Sequence, residues 1–172
     1  MTAVVLSIGS NLGDRLAALQ SVVDGLGSAV RAVSAVYETD PWGGVDQDPF
    51  LNAVVSADDP ELDPHGWLQR AHQLEDAAQR VRLQRWGPRT LDVDLITCHG
   101  PDGEITVRDD ALTLPHPYAH ARAFVLVPWL AVDPQATLTV DGRTRSAADL
   151  LGGLDEAERA AVRRTELVLR AR

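Results

Sequence analysis

Hydrophobic positions in the first part of the chain predict a strand followed by a helix. Residues 3–8 form an apolar run that ends at Gly9-Ser10-Asn11, a pattern typical of a buried strand and a turn. Leucine and valine then recur at helical spacing over residues 16–26, and Gly27 is a natural end for this helix. These residues therefore predict a β-α unit.

The alternation of strand and helix patterns continues along the chain. Small and β-branched residues predict a second strand over residues 31–37, and a third strand is predicted over residues 50–56. Asp63 and Pro64 have the chemistry of a helix start, and apolar residues at helical spacing follow them. With a fourth strand over residues 91–97, the order is β-α-β-β-α-β. This order predicts a ferredoxin-like α+β core with a mainly antiparallel sheet.

The C-terminal part of the chain gives a weaker pattern. A hairpin turn is predicted at residues 100–103, an irregular segment at 113–122 and an apolar element at 124–130. Ser146 has the chemistry of a helix cap, and residues 155–172 are predicted as a helix followed by a strand. The chain contains no internal repeat or linker, so we expect a single domain over residues 1–172 with an extended C-terminal portion.

Composition and charge narrow the class of function. The formal net charge of −9 argues against binding to nucleic acids or anionic membranes. All 16 basic residues are arginine, and the absence of lysine excludes a Walker-type phosphate loop and Schiff-base chemistry. The single cysteine excludes an internal disulfide framework, and the apolar run near the N-terminus is too short for a signal peptide. We therefore expect a cytoplasmic protein without nucleic-acid or membrane partners.

Two carboxylates lie at the start of the fourth predicted strand. Because side chains alternate along a strand, Asp92 and Asp94 point to one face while Leu91, Val93 and Leu95 point to the core. The Cα atoms of the two aspartates are expected about 6.5 to 7 Å apart. Carboxylates at this spacing can converge on two Mg²⁺ ions, and an oxygen-only ligand set suits Mg²⁺ rather than zinc. The alternative is a solvated outer face of the strand.

A basic segment directly precedes these aspartates. Residues 80–89 contain four arginines and no acid, namely Arg80, Arg82, Arg85 and Arg89. Guanidinium groups bind phosphate oxygens in a bidentate manner, so a segment folded over metal-binding carboxylates suits a polyphosphate. The alternative is a solvated basic loop. Trp86 within it is either a core anchor or a lid over a planar ligand.

Other candidate residues are spread over three segments. Phe50 and Asn52 share one face of the third strand, where an aromatic ring beside an amide suits a flat, hydrogen-bonding heterocycle. The alternative is a core phenylalanine beside an edge asparagine. His116 and Arg122 offer further donors to phosphates, although a histidine between prolines is more often a structural hydrogen-bonding residue. Glu75 lies beside the apolar seam of the second helix and either reaches a substrate or is solvated.

Five segments of the chain occur in the order of a known family. They are Gly9-Ser10-Asn11-Leu12-Gly13; Tyr37-Glu38-Thr39 before Pro41-Trp42-Gly43; Asp46-Gln47 with Phe50-Leu51-Asn52; residues 85–96; and Pro115-His116-Pro117 with residues 122–126. With these segments, the chain resembles the 6-hydroxymethyl-7,8-dihydropterin pyrophosphokinases of folate biosynthesis over about residues 4–135. The block Arg-Trp-Gly-Pro-Arg-x-x-Asp-x-Asp is highly specific. The resemblance implies a ferredoxin-like enzyme that transfers pyrophosphate from ATP to the hydroxymethyl group of the pterin and releases AMP.

The resemblance also implies roles on the nucleotide side. Asp92 and Asp94 would hold two Mg²⁺ ions, with ATP as the co-substrate, and would form the catalytic group together with Arg80 and Arg89. Contacts to ATP would come from Glu75, Arg80, Arg89, Thr113, His116 and Arg122. Two positions depart from the family pattern, because Gln79 stands where glycine is common and Tyr118 where a basic residue is frequent.

On the pterin side, the resemblance implies a sandwich of the ring between Phe50 and Phe124. Asn52 would hydrogen-bond the edge of the ring, and Asp92 would lie beside the hydroxymethyl group. Backbone contacts would come from Thr39, Asp40 and Trp42, and Trp86 would lie on a loop that closes over both substrates.

Two other classes of function remain as alternatives. A two-metal nucleotidyl transferase also uses paired carboxylates on a ferredoxin-like sheet, and it would release pyrophosphate from ATP instead of AMP. A non-catalytic nucleotide- or RNA-binding module on the same fold would bind its ligand without Mg²⁺. For the pyrophosphokinase we expect a monomer whose only partners are the two small-molecule substrates.

Overall fold

The computed structural model describes residues 2–41, 48–80 and 90–172, with the side chains of residues 79 and 80 left out. The strands are β1 (Thr2–Ser10), β2 (Val30–Val33), β3 (Tyr37–Thr39), β4 (Phe50–Asp59), β5 (Asp92–Gly100), β6 (Gly103–Glu104), β7 (Val107–Arg108), β8 (Thr113–Leu114), β9 (Thr137–Val140), β10 (Arg143–Ser146) and β11 (Val162–Arg164). The helices are α1 (Arg15–Leu26), α2 (Pro64–Arg80), α3 (Ala123–Val132), α4 (Ala147–Gly152) and α5 (Glu156–Ala160).

The described residues form a seven-stranded sheet in the order β11-β3-β4-β1-β5-β6, with β2 also paired to β4. All of its strand pairs are antiparallel. Because α1 follows β1 and α2 follows β4, the central strands have the predicted β-α-β-β-α-β connectivity. The ferredoxin-like core is confirmed, as are the hairpin at residues 100–103 and the helix and strand near the C-terminus.

The predicted strand over residues 31–37 is wrong as a single element, because the structure divides it into β2 and β3. Ser34 lies between them, and its hydroxyl accepts a hydrogen bond from the backbone N–H of Val54 at 2.9 Å. The same hydroxyl donates to the carbonyl of Ala35 at 2.7 Å. The Ser34 side chain therefore replaces a backbone carbonyl as the acceptor for Val54 of β4. The regular pairing with β4 is interrupted there.

Helix boundaries follow from local side-chain chemistry. Asp14, Asp63 and Ser146 each accept a hydrogen bond from the backbone N–H three residues later in the chain. These bonds satisfy donors that the first turn of a helix leaves free. Gly27 follows α1 with φ of 54°, a left-handed conformation that glycine adopts without steric cost. The helix starts and stops predicted at these positions are confirmed.

The sheet has two unequal faces. On the first face, α1 and α2 cover a continuous apolar core that includes Leu6, Ile8, Leu19, Trp67 and Leu95. On the second face, α3, α4 and β9 pack on Val54 and Ile96 and cover only part of the strands. Within the described part of the chain, no helix is long and apolar enough to cross a membrane.

Candidate active site

The uncovered part of the second face forms a cavity of about 220 Å³, which we call the sheet pocket. Four strands form its floor and one flank, and the start of α3 forms the opposite flank. Its lining residues are Ser7, Gly9, Thr39, Asp40, Phe50, Asn52, Asp92, Asp94, Arg122 and Phe124. The structure therefore brings together predicted residues from four separate segments of the chain.

The paired carboxylates occupy the floor of the sheet pocket on β5. Asp92 is paired with Gly9 of β1 and Asp94 with Ser7, so both side chains point to the second face. Both aspartates are half-buried, whereas Leu91, Val93 and Leu95 between and beside them are buried on the first face. The predicted alternation of β5 is present in the structure.

The amide and aromatic side chains of β4 lie on the same floor. Asn52 is 5% exposed and Thr39 is 4% exposed, and neither Asn52 Oδ1 nor Thr39 Oγ1 has a hydrogen-bond partner among the described residues. Buried polar atoms are nearly always paired, and both residues line the sheet pocket, so a ligand with hydrogen-bond donors would suit them. Phe50 lines the cavity next to them, as predicted for a flat heterocycle.

Gly9 makes room for the asparagine. A Cβ atom at position 9 would lie 2.7 Å from Asn52 Nδ2, closer than side-chain atoms pack. Because Gly9 and Asn52 are directly paired across β1 and β4, any other residue would displace the amide. Neither Gly9 nor Ser7 was assigned a role from the sequence. The alternation of β1 identifies them only once the order of the strands is known.

The flank at the start of α3 is made of stacked side chains. The Arg122 guanidinium carbon lies 5.5 Å from the ring centre of Phe124 and 5.4 Å from that of Tyr118. These are cation–π distances, so both rings orient the guanidinium beside the pocket. Tyr118 is 61% exposed.

His116 is a neutral hydrogen-bond donor next to this stack. Its Nδ1 accepts the backbone N–H of Tyr118 at 3.1 Å, which leaves the ring proton on Nε2. Burial, followed by the charge of Arg122, lowers the pKa of His116 to about 4. The imidazole is therefore uncharged near neutral pH and carries its proton on Nε2.

Not all nucleotide-side candidates reach the sheet pocket. His116 and Thr113 line a second cavity of about 660 Å³ between the segment of residues 106–117 and the turn of β9 and β10. Glu75 lies in neither cavity, and its Oε2 accepts the backbone N–H of Val93 at 3.4 Å. Trp42, Trp86 and Arg89 lie outside the described residues, as does the side chain of Arg80.

Asp40 carries an ion pair that the sequence pattern did not indicate. Arg163 of β11 donates to both of its carboxylate oxygens, at 2.8 and 3.1 Å. The hydrogen bond from Arg163 lowers the pKa of Asp40. The partners are far apart in sequence, so only the pairing of β11 with β3 reveals the contact.

Within residues 2–41, 48–80 and 90–172, no group of three or more histidine, cysteine, aspartate or glutamate side chains is placed to hold a metal ion. Asp92 and Asp94 thus remain the candidate metal ligands as a pair. Their half-buried carboxylate oxygens are hard donors of the kind that Mg²⁺ prefers.

Residues 5–134 match the family model of 7,8-dihydro-6-hydroxymethylpterin-pyrophosphokinase (HPPK). The chain belongs to this family. It is 61% identical over 168 residues to the 2-amino-4-hydroxy-6-hydroxymethyldihydropteridine pyrophosphokinase of Mycobacterium tuberculosis, which covers 95% of this chain and 89% of the relative. The enzyme of the same name from Bacillus subtilis is 38% identical and covers 72% of this chain and 73% of the relative.

The fold is also found in a longer solved protein. The wild-type HPPK-DHPS of Plasmodium falciparum with pteroate superposes with a TM-score of 0.65 at 13% identity, over 88% of this chain and 44% of that chain. This likeness supports the ferredoxin-like HPPK fold.

Family membership decides between the functional alternatives. The chain is an ATP-dependent pyrophosphokinase that transfers pyrophosphate to the hydroxymethyl group of 6-hydroxymethyl-7,8-dihydropterin in folate biosynthesis. The predicted resemblance, enzyme class and co-substrate are confirmed. The nucleotidyl transferase and the non-catalytic binding module are not favoured.

Proposed function

We propose that the sheet pocket is the pterin site of this pyrophosphokinase. The observation that supports this most directly is the pair of buried, unpartnered oxygen atoms, Asn52 Oδ1 and Thr39 Oγ1, in a cavity lined by Phe50 and Phe124. A pterin ring carries N–H donors along one edge and two flat faces. Its edge would satisfy Asn52 and Thr39, and its faces would lie against the two phenylalanine rings. Asp40 would add a backbone contact at the rim.

We propose that Asp92 and Asp94 hold two Mg²⁺ ions next to this ring. Two carboxylates on one strand face supply only some of the ligands that Mg²⁺ needs, and phosphate oxygens and water commonly supply the rest. When bound, Mg²⁺ would offset the negative charge of the triphosphate. Asp92 pairs with Gly9 of β1, which is also paired with Asn52, and this register supports a position of the carboxylate beside the proposed pterin ring.

On the nucleotide side, we propose that Arg122 and His116 contact the triphosphate. Arg122 lines the sheet pocket with its guanidinium held between two rings, and His116 donates through Nε2 without adding charge. Thr113 and Glu75 are proposed nearby on the nucleotide, since Thr113 shares the second cavity with His116. Arg80, Arg89, Trp42 and Trp86 keep the roles that the family resemblance implies for them.

The proposed reaction is an in-line displacement at the β-phosphorus of ATP. The hydroxymethyl oxygen forms a bond to the β-phosphorus, the bond from that phosphorus to the α,β-bridging oxygen breaks, and AMP leaves. The proton of the hydroxyl group passes to a carboxylate oxygen of Asp92. Because such transfers depend mainly on positioning and on charge neutralisation, the residues of the pocket need not include a strong general base.

The chain is further proposed to act as a monomeric single domain in the cytoplasm, without nucleic-acid or membrane partners. The net charge of −9 and a buried, unpaired Cys98, whose pKa burial raises to about 12, support this proposal. Light scattering of the purified chain would measure its mass in solution, and a dimer would contradict the proposal.

The residue assignment is tested by measuring AMP formed from ATP and the pterin in the presence of Mg²⁺. Asp92→Ala and Asp94→Ala are expected to keep the circular dichroism spectrum of the wild type and to lose nearly all transfer. Asp102→Ala, in the exposed turn at the other end of β5, is the control and should retain wild-type turnover. Near-normal turnover in either pocket variant would contradict the metal assignment.

A further inference from the structure

The C-terminal segment, residues 155–165, contacts both flanks of the sheet pocket. We propose, on the basis of the proposed pterin site, that Glu158 and Arg163 are positioning residues that hold the two flanks at the separation the pterin needs. Both lie beyond residue 134, where the match to the family model ends. Neither lines the pocket, so they act through the residues they hold.

The first flank is held by β11. Val162 is paired with Thr39 across β11 and β3, and the backbone N–H of Asp40 donates to the carbonyl of Ala161 at 3.1 Å. Arg163 then binds both carboxylate oxygens of Asp40. A bidentate guanidinium–carboxylate contact fixes orientation as well as distance. Thr39 and Asp40, which line the pocket, are thus held by the C-terminal segment through backbone and side chain.

The same arginine begins a chain of contacts that reaches the other end of the 40–49 segment. Arg163 Nη2 lies 3.5 Å from Glu38 Oε1, and Glu38 Oε2 lies 3.7 Å from Arg15 Nη1. Arg15 Nη1 donates to the carbonyl of Pro49 at 2.8 Å. Phe50, which lines the pocket, directly follows Pro49. These contacts therefore connect both Asp40 and Phe50 to β11.

The second flank is held by α5. Glu158 Oε1 accepts the backbone N–H of Ala123 at 3.2 Å. Ala123 is the first residue of α3 and lies between Arg122 and Phe124, and Arg122 itself supplies no side-chain cap. A carboxylate at this end of a helix is favoured by the helix dipole and satisfies a donor of the first turn. Glu158 thereby fixes the position from which Arg122 and Phe124 reach the pocket.

Glu158 and Arg163 are five residues apart in one short helix–strand unit, so the spacing of the flanks is set by the geometry of that unit. Glu158 is half-buried, while Arg163 and Asp40 are exposed. Exposed ion pairs contribute less than buried ones because water and salt screen them. The larger effect on pterin binding is therefore expected from Glu158.

The test compares Glu158→Ala and Arg163→Ala with the controls Glu156→Ala and Arg164→Ala. The controls are exposed residues of the same helix and strand, outside the contacts described above. The measurements are KM for the pterin, kcat, and Kd of a non-hydrolysable ATP analogue. We expect KM for the pterin to rise about 10-fold in Glu158→Ala and about 3-fold in Arg163→Ala. In both variants kcat should change little. Nucleotide affinity should stay at the wild-type value in Arg163→Ala. In Glu158→Ala it should fall less than pterin affinity, because Glu158 also holds Arg122, the proposed triphosphate contact.

Two further measurements separate positioning from a general structural role. Glu158→Gln keeps an oxygen acceptor for Ala123 and should restore most of the pterin affinity. The effect of Arg163→Ala should disappear at high salt, where the wild type loses the same contact. Equal losses of pterin and nucleotide affinity, or pterin KM within twofold of wild type in both alanine variants, would overturn this inference alone. A wild-type chain that binds nucleotide but not pterin would overturn the proposed pterin site instead.

Discussion

The two faces of the sheet place side chains of the same strands in different environments. On the first face, Leu51, Val93 and Leu95 are buried in the apolar core beneath α1 and α2. On the second face, the neighbouring residues Asn52, Asp92 and Asp94 line a cavity. Because side chains alternate along a strand, each of these core residues neighbours one that faces the sheet pocket.

The second face, unlike the first, contains buried polar atoms that are expected to lower the stability of the fold. Asn52 Oδ1 and Thr39 Oγ1 are buried without partners among the described residues, and leaving such atoms unpaired destabilises a fold. We expect the buried apolar core of the first face to offset this cost. Substitutions on the two faces should therefore separate activity from stability, even at adjacent residues.

The largest separation is expected at neighbours on β5. Asp94→Asn should lower kcat by about 10³-fold, because it removes a proposed carboxylate ligand of the Mg²⁺ ions that would offset the negative charge of the triphosphate. It should leave the thermal unfolding transition nearly unchanged. Leu95→Ala should lower the free energy of unfolding by about 2–5 kcal/mol, because it leaves a cavity in the first-face core. The rate of AMP formation and urea unfolding of the same preparations measure both effects.

Active-site titration completes this comparison. The folded fraction of Leu95→Ala should turn over at the wild-type rate, whereas fully folded Asp94→Asn should not. If Leu95→Ala lost kcat per folded molecule by the same factor as Asp94→Asn, the two faces would not be functionally separate.

A smaller effect of the opposite kind is expected at Asn52. Leucine has the branched heavy-atom arrangement of asparagine without its polar atoms, so Asn52→Leu removes the unpaired oxygen and keeps the shape of the side chain. We expect the free energy of unfolding to stay the same or rise by about 1 kcal/mol, while pterin affinity falls about 100-fold. Urea unfolding and titration with the pterin measure the two quantities.

Nucleotide affinity is the control for Asn52→Leu and should not change. A variant that is clearly less stable than the wild type would show that Asn52 contributes to the packing of the second face rather than reserving space for a ligand.

The sequence predicted those features of the site that depend on neighbouring residues of the chain, and it missed those that depend on residues distant in sequence. The alternation of Asp92 and Asp94 with Leu91 and Val93 is a property of one strand and was predicted. The break at Ser34 was not, because it depends on Val54 of the neighbouring strand. The roles of Gly9 and Ser7 require the order of the strands.

The contact of Arg163 with Asp40 is the extreme case of this dependence. It joins residues 123 positions apart. No periodicity or local motif reports such a contact, and the alternating acids and bases of the C-terminal segment gave only a helix and a strand. The partners of exposed charges become known only from the packed structure.

The smallest expected effect concerns the pH dependence set by His116, which lines the second cavity. Its pKa of about 4 in the folded state lies below the ordinary value of 6.5, since burial and Arg122 disfavour the charged ring. Between pH 6.5 and 4 the unfolded chain binds the proton first, so the wild type should lose stability as the pH falls through this window.

His116→Gln should flatten that slope, with a difference on the order of 1–2 kcal/mol between pH 7 and pH 4. Urea unfolding at a series of pH values measures it, with the exposed His72→Gln as the control that should retain the wild-type slope. A slope in His116→Gln as steep as in the wild type would mean that folding does not lower the pKa of His116, and the proposed role as a neutral donor to phosphate would lose this support.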